Sequence, residues 1–220
     1  MMNNIVNHFG SILCLNGNLP SKNFFGKCVD LPIIASDGAG SRLIDIGVYP
    51  NFVVGDMDSF YHKISDYTDI DFIKYSNQNY NDFEKSILFI KERKFFPVLV
   101  CGMFGREIDH VVNNINCLMK HEQQCPMVFY EEEIMEQPKW GFPVSSSLSF
   151  AGQKGEIISI MPHPTATLST KGLKWDLDNK ELSISGISSF RNQELGYNID
   201  INIQKGRVLI ISGRYLESYN

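Results

Sequence analysis

The sequence predicts an α/β chain in two parts: an N-terminal, mostly parallel α/β sheet domain over residues 1–136, then a C-terminal antiparallel β-sandwich over residues 137–220. Three observations predict it. Short apolar runs alternate with helical patterns through the first part, helical periodicity stops after about Glu136, and charge divides with the halves. Residues 1–140 carry 12 basic and 18 acidic side chains, whereas residues 141–220 carry 8 and 7. The acidity belongs to the α/β part.

Within that part, Ser11–Leu15, Pro32–Ser36, Phe52–Val54, Asp71–Tyr75, Pro97–Cys101 and Met127–Tyr130 read as strands. They are short, apolar and partly β-branched, as strands covered on both faces are. Asp82–Lys94 reads as a helix opened by Asp82 as N-cap, with Phe83, Ile87 and Ile90 on one side. Ile108–Glu122 reads as a second helix whose Ile108, Val111, Val112, Ile115, Leu118 and Met119 form one buried stripe. Strands separated by helices make βαβ units with right-handed crossovers.

Beyond a boundary near Gln137–Pro143 the pattern changes. Leu148–Phe150, Glu156–Met161, Thr165–Thr170, Glu181–Ser185, Tyr197–Gln204 and Arg207–Ser212 alternate or run apolar between Gly, Pro, Asn and Asp. Tyr197–Ile203 keeps a near-strict period of two, so one face is buried and one is wet. Lys205-Gly206 reads as a tight turn into the last strand.

Composition narrows the function. Of 220 residues, 43% are apolar and 20% charged, which is globular composition. A net charge of −5 argues against a nucleic-acid partner, whose phosphates call for a basic face. Five cysteines without a CxxC pair form neither a disulfide framework nor a zinc knot. No stretch approaches the ~18 apolar residues of a membrane span. Ile12–Leu15 is too short for a signal peptide. The expectation is a reduced, soluble, cytoplasmic protein with no membrane partner.

The acidic residues have a location. Predicted strands run directly into Asp37-Gly38 and into Gly55-Asp56-Met57-Asp58-Ser59, and a third leads through Gly105-Arg106 to Asp109-His110. The carboxyl ends of parallel strands border the ligand crevice of an open sheet. Asp37-Gly38 alone equally describes a turn, and Asp82 and Asp109 equally describe helix caps. Asp56-x-Asp58 resists that reading, because two adjacent carboxylates repel unless a cation or a proton relieves them. A hard divalent ion such as Mg²⁺ suits oxygen ligands and links them to substrate phosphates. Lys85, one turn after Asp82, is placed to face the same phosphates. The Gly38–Leu43 segment imitates a dinucleotide fingerprint but ends on a bulky residue, and a P-loop is absent. Phosphoryl-type transfer fits this set, and a metal-dependent glycosyltransferase also uses Asp-x-Asp.

The motifs Ala35–Leu43, Pro50–Ser59, Asn81–Lys85, Gly105–His110 and Lys171–Leu177 together resemble, in order and spacing, those of the thiamine pyrophosphokinase family. The likeness runs from about residue 35 to 192. It implies transfer of diphosphate from ATP to the hydroxyl of thiamine, with release of AMP, by a Mg²⁺-dependent homodimer with active sites between subunits. Asp56, Asp58 and Asp82 would hold the metal, and Lys85 would neutralise phosphate charge. Asp37, Gly38, Ser59, Arg106 and Asp109 would line the ATP and phosphate site. Trp175 would stack on thiamine, with Asn192 hydrogen-bonding nearby.

The chain departs from the family pattern in three places. Gly105-Arg106-Glu107 stands where Gly-Gly-Arg is usual, Asn77 and Asn79 are neutral where acids are common, and Arg191-Asn192 replaces Ser-Asn. Two alternatives stay in view: a diphosphokinase for another heterocyclic alcohol of pterin type, and a non-catalytic thiamine or nucleotide binder.

Overall fold

The computed structural model describes residues 6–132 and 137–216. It divides into two compact units, residues 1–132 and 133–220.

The first unit is a six-stranded parallel sheet. In chain order its elements are β1 (Ser11–Cys14), α1 (Lys22–Phe25), β2 (Ile33–Ser36), α2 (Ala39–Asp45), β3 (Phe52–Gly55), β4 (Asp71–Lys74), α3 (Asp82–Arg93), β5 (Val98–Cys101), α4 (Ile108–His121) and β6 (Met127–Glu131). The strand order is β6-β5-β1-β2-β3-β4, with every neighbour parallel. β1, β2 and β5 are buried along their whole length, so both faces are covered and the sequence shows unbroken apolar runs. β4 lies at the sheet edge, and its residues are half-buried or exposed. The order reverses beside β1: chain leaving β1 turns towards β2 and chain leaving β5 towards β6. A crevice forms at such a switch point.

Two expectations for the helices change. Asn81, not Asp82, caps α3: its side chain accepts from the Glu84 N–H at 2.9 Å, and Glu84 reaches back to complete a capping box. In α4 the apolar stripe is only partly buried. Cys117, Leu118 and Met119 are covered, while Ile108 is 81% and Val112 52% exposed. Periodicity reports a helix with an apolar side; it does not report how far a neighbour extends along it. The helices α1 and α2, four and seven residues long, are too short for a helical period to show in the sequence.

The second unit is antiparallel, built on two long strands. Its elements are β7 (Lys139–Val144), β8 (Leu148–Ala151), β9 (Ile157–Lys171), β10 (Lys180–Ser183), β11 (Ser189–Gln193) and β12 (Asn198–Ser212). β9 and β12 pair from Lys171–Asp200 to Ile158–Ser212. Each long strand contributes to two four-stranded layers: one end joins β10 and β8, the other β11 and β7. The tight turn expected at Lys205-Gly206 is instead a bulge within β12. Gly206 sits at φ +80°, and a Cβ there would meet the Thr165 carbonyl oxygen at 2.1 Å, so only glycine lets the ladder continue. Glu156–Met161 and Thr165–Thr170 likewise merge into β9. The buried residues come from both layers: Leu168, Ile199 and Ile201 from one, Ile158, Ile160, Val208 and Ile210 from the other.

Candidate active site

The carboxyl ends of the first unit's strands open onto a cavity of about 540 Å³. Of the residues expected at the ATP site, Asp37, Gly38, Ser59, Arg106 and Asp109 line it, as does Asp82. Each arrives by a local device. β2 ends at Ser36, and the next residue, Asp37, donates its N–H to the Val54 carbonyl at 2.9 Å before the chain turns through φ +43° into α2. β3 ends at Gly55, where a Cβ would lie 2.8 Å from Asp37 Cβ. That glycine lets Asp37 and Asp56 approach. Met57, at φ +70°, turns the next residue back so that Asp58 joins them.

One carboxylate oxygen each from Asp37, Asp56 and Asp58 falls within 4.8 Å of the others. Asp82 takes a different place. It binds Lys85, whose Nζ lies 2.8 Å from Asp82 Oδ1 and 2.9 Å from Asp56 Oδ2. Gln78 donates to the same Asp56 oxygen at 3.2 Å, and Ser59 hydrogen-bonds Asp58 at 3.0 Å. Asp37 is 2% exposed and Lys85 also 2%.

The electrostatics differ sharply between neighbours. Burial pushes the Asp37 carboxyl up to about 7, and its contact with Asp58 and the charges of Asp82 and Asp58 add to that. The hydrogen bond from Lys85 holds Asp56 at about 2. Burial opposes the charge on Lys85, but its bonds to Asp82 and Asp56 outweigh that and raise its pKa. Asp37 Oδ1 and Asp56 Oδ1 are buried without a hydrogen-bond partner. Two orphaned carboxyl oxygens beside a third acidic side chain are a donor set suited to a hard divalent cation.

The loop after β1, which no motif marks, also belongs to the site. Asn16 and Gly17 line the cavity, and two arginines hold the loop: Arg42 donates to the Asn16 and Gly17 carbonyls, and Arg106 to the Asn16 carbonyl at 2.7 Å and its side chain at 3.2 Å. The strand-end rule applied to Ser11–Leu15 would have found it. His110 and Glu107 also line the cavity. Asp109 is exposed, and its Oδ1 accepts from the His110 N–H at 2.8 Å.

Trp175 and Asn192 lie in the second unit. Trp175 is 57% exposed with the Lys174 ammonium 4.7 Å over its ring, whereas Asn192 is 2% exposed. Trp140 is the buried tryptophan, at 3%.

Two family models match in order: the thiamin pyrophosphokinase catalytic domain over residues 30–129, and the thiamin pyrophosphokinase vitamin B1 binding domain over residues 145–208. Thiamine pyrophosphokinase 1 of Oryza sativa subsp. japonica is 28% identical over 162 residues, and thiamine pyrophosphokinase 1 of Arabidopsis thaliana 28% over 161. Each alignment covers 65% of this chain and 58% of the relative, so the match spans little more than half of those proteins. The crystal structure of thiamine pyrophosphokinase from Bacillus subtilis superposes with a TM-score of 0.74 at 18% identity, covering 92% of this chain and 98% of that one. Thiamin pyrophosphokinase from Candida albicans gives the same TM-score and identity, covering 92% and 89%. The α/β unit followed by the antiparallel unit is thus the fold of those enzymes. With both of its parts matched by models of one family, the chain belongs to the thiamine pyrophosphokinase family.

Proposed function

We propose that this protein transfers a diphosphate group from ATP to the hydroxyl of thiamine, giving thiamine diphosphate and AMP. The observation that carries the reading is the convergence of Asp37, Asp56 and Asp58 within 4.8 Å beside Lys85, at the strand ends of the part matched by the catalytic-domain model. The three carboxylates would hold Mg²⁺, which when bound offsets polyphosphate charge and lets ATP enter an acidic cavity. The pterin-directed and non-catalytic alternatives are not favoured by the likenesses found.

In this reading the thiamine oxygen attacks the β-phosphorus in line. The new O–P bond forms as the bond from the β-phosphorus to the α-bridging oxygen breaks, and AMP departs. Alignment matters more than a strong base, and a deprotonated carboxylate of the cavity takes the hydroxyl proton. Lys85 fixes Asp56 and Asp82. Arg106, exposed at the rim, meets phosphate. Trp175 offers its indole face to thiamine, a flat and cationic ligand. Asn192 supports that residue.

We also propose a cytoplasmic homodimer, with active sites between subunits. The five cysteines are free and buried, as suits a reducing compartment. Among the described residues no helix is long and apolar enough to cross a membrane. Sedimentation velocity tests the dimer. The decisive assay supplies the protein with ATP, Mg²⁺ and thiamine: AMP and thiamine diphosphate are expected, and ADP as the nucleotide product overturns the reaction.

A further inference from the structure

We propose that Asp176 and Asn192 are positioning residues that hold the Trp175 indole outward as a fixed wall for a flat heterocycle. The inference rests on the thiamine reading above and names the residues that make Trp175 usable. An exposed tryptophan on a soft loop collapses onto nearby apolar surface, because burying its face is favourable. Here Trp175 stays 57% exposed, and its backbone is fastened from two sides.

The first fastening is local. Thr170 N–H donates to the Leu177 carbonyl at 2.8 Å, and Leu177 N–H donates to Thr170 Oγ1 at 2.8 Å, closing the base of the 170–177 loop. The Asp176 carboxylate binds across it. Oδ1 accepts from Leu173 N–H at 3.0 Å and from the Thr170 hydroxyl at 3.1 Å, and Oδ2 accepts from Gly172 N–H at 3.3 Å. Asp176, itself exposed, thus ties residues 170, 172 and 173 together directly beside Trp175.

The second fastening comes from β11. Trp175 N–H donates to Asn192 Oδ1 at 3.2 Å, and Asn192 Nδ2 donates to the Trp175 carbonyl at 2.8 Å. One amide side chain thus pairs both backbone groups of Trp175, as a neighbouring strand would. Asn192 Nδ2 also donates to Ser189 Oγ at 3.0 Å, and Oδ1 accepts from Gln193 N–H at 2.8 Å. Two donors and two acceptor sites fill the amide's capacity. At 2% exposure, with every site filled, Asn192 acts through Trp175.

The test uses the 220-residue chain with Asp176→Asn, Asn192→Ala and, as a milder lesion of the same loop, Thr170→Val. Acrylamide quenching reads Trp175 directly, since the other tryptophan is buried. Thiamine affinity follows from quenching of the same emission, and ATP KM serves as the control. Altered acrylamide quenching with thiamine affinity weakened about tenfold, and ATP KM within about twofold, is the expected result. Unchanged quenching overturns the inference. So does changed quenching with unchanged thiamine affinity, because the loop is then held only for its own stability. If Asn192→Ala does not fold, Thr170→Val and Asp176→Asn decide. A wild-type chain that neither binds nor turns over thiamine fails the proposed function itself. A competent wild type with unaltered variants fails only this inference.

Discussion

Lys85 bridges two carboxylates from different elements, with Nζ 2.9 Å from Asp56 Oδ2 beyond β3 and 2.8 Å from Asp82 Oδ1 in the first turn of α3. A nearly buried ammonium in this place does two things. It keeps Asp56 ionised, and it ties the loop after β3 to the helix. Lys85→Met removes the charge at similar length and leaves Asp56 and Asp82 facing Asp37 and Asp58 without compensation. Turnover is expected to fall about 100-fold or more, the scale on which preorganised charge acts. The Asp56 carboxyl is expected to rise from about 2 towards the ordinary range, which carbon-13 carboxyl NMR reads. A variant within threefold of wild type removes Lys85 from the site.

Asp37 makes a prediction of opposite sign. Its folded-state pKa is about 7 against an ordinary value of 3.8, so the native state holds the proton more tightly than the unfolded chain. That contribution to stability is complete below about 4 and is lost as pH rises through about 7. Asp37→Asn keeps the shape without the charge. In metal-free buffer it is expected to melt higher than wild type at pH 8, with the gap closing towards pH 4. It is also expected to lose Mg²⁺-dependent turnover. Equal melting temperatures at pH 8 count against the burial argument.

The cap of α3 links stability to the site. Asn81 accepts from Glu84 N–H, and Glu84 Oε1 accepts from Lys120 Nζ of α4 at 2.8 Å. The turn so fixed carries both Asp82 and Lys85. Asn81→Ala is expected to cost about 1 kcal/mol, the usual worth of a cap. In a chain of this size that is a drop of about 2–4 °C in melting temperature. Asn81→Ser, which also caps and sets no second carboxylate against Glu84 Oε2, restores most of the stability. Scanning calorimetry of the two variants decides it.

The sequence carried the strand order of chemistry better than its detail. Asp37, Asp56 and Asp58 were legible because a buried strand that stops at an Asp or Gly leaves the acid at the sheet's edge, whatever the helices do. The exchange of Asp82 for Asp37 in the carboxylate cluster was not legible. It depends on Gly55 lacking a Cβ and on Met57 adopting a positive φ. The bulge at Gly206 was hidden for a similar reason: Lys-Gly describes a turn as well as a bulge, and only the continuous pairing of β9 with β12 separates them. The exposure of Ile108 and Val112 was beyond any period, since a stripe does not show what covers it.

The loop after β1 gives the last prediction. The Asn16 carbonyl accepts from Arg42 Nη1 and from Arg106 Nε, each at 2.7 Å. The two guanidiniums differ in setting. Arg42 is half-buried and also holds the Gly17 carbonyl; Arg106 is exposed and its charge lowers the Arg42 pKa, a lesser effect than burial. In the proposed reaction Arg106 would exchange its carbonyl for a phosphate while Arg42 keeps the loop in place. Both Arg42→Gln and Arg106→Gln are therefore expected to weaken a non-hydrolysable ATP analogue about tenfold, but for different reasons. Added salt separates them, because screening weakens an exposed charge contact and leaves a buried hydrogen bond nearly untouched. Calorimetric titration at low and high salt is expected to show wild-type salt dependence in Arg42→Gln and a flattened dependence in Arg106→Gln. The reverse pattern would mean that Arg42 meets the phosphates and Arg106 holds the loop.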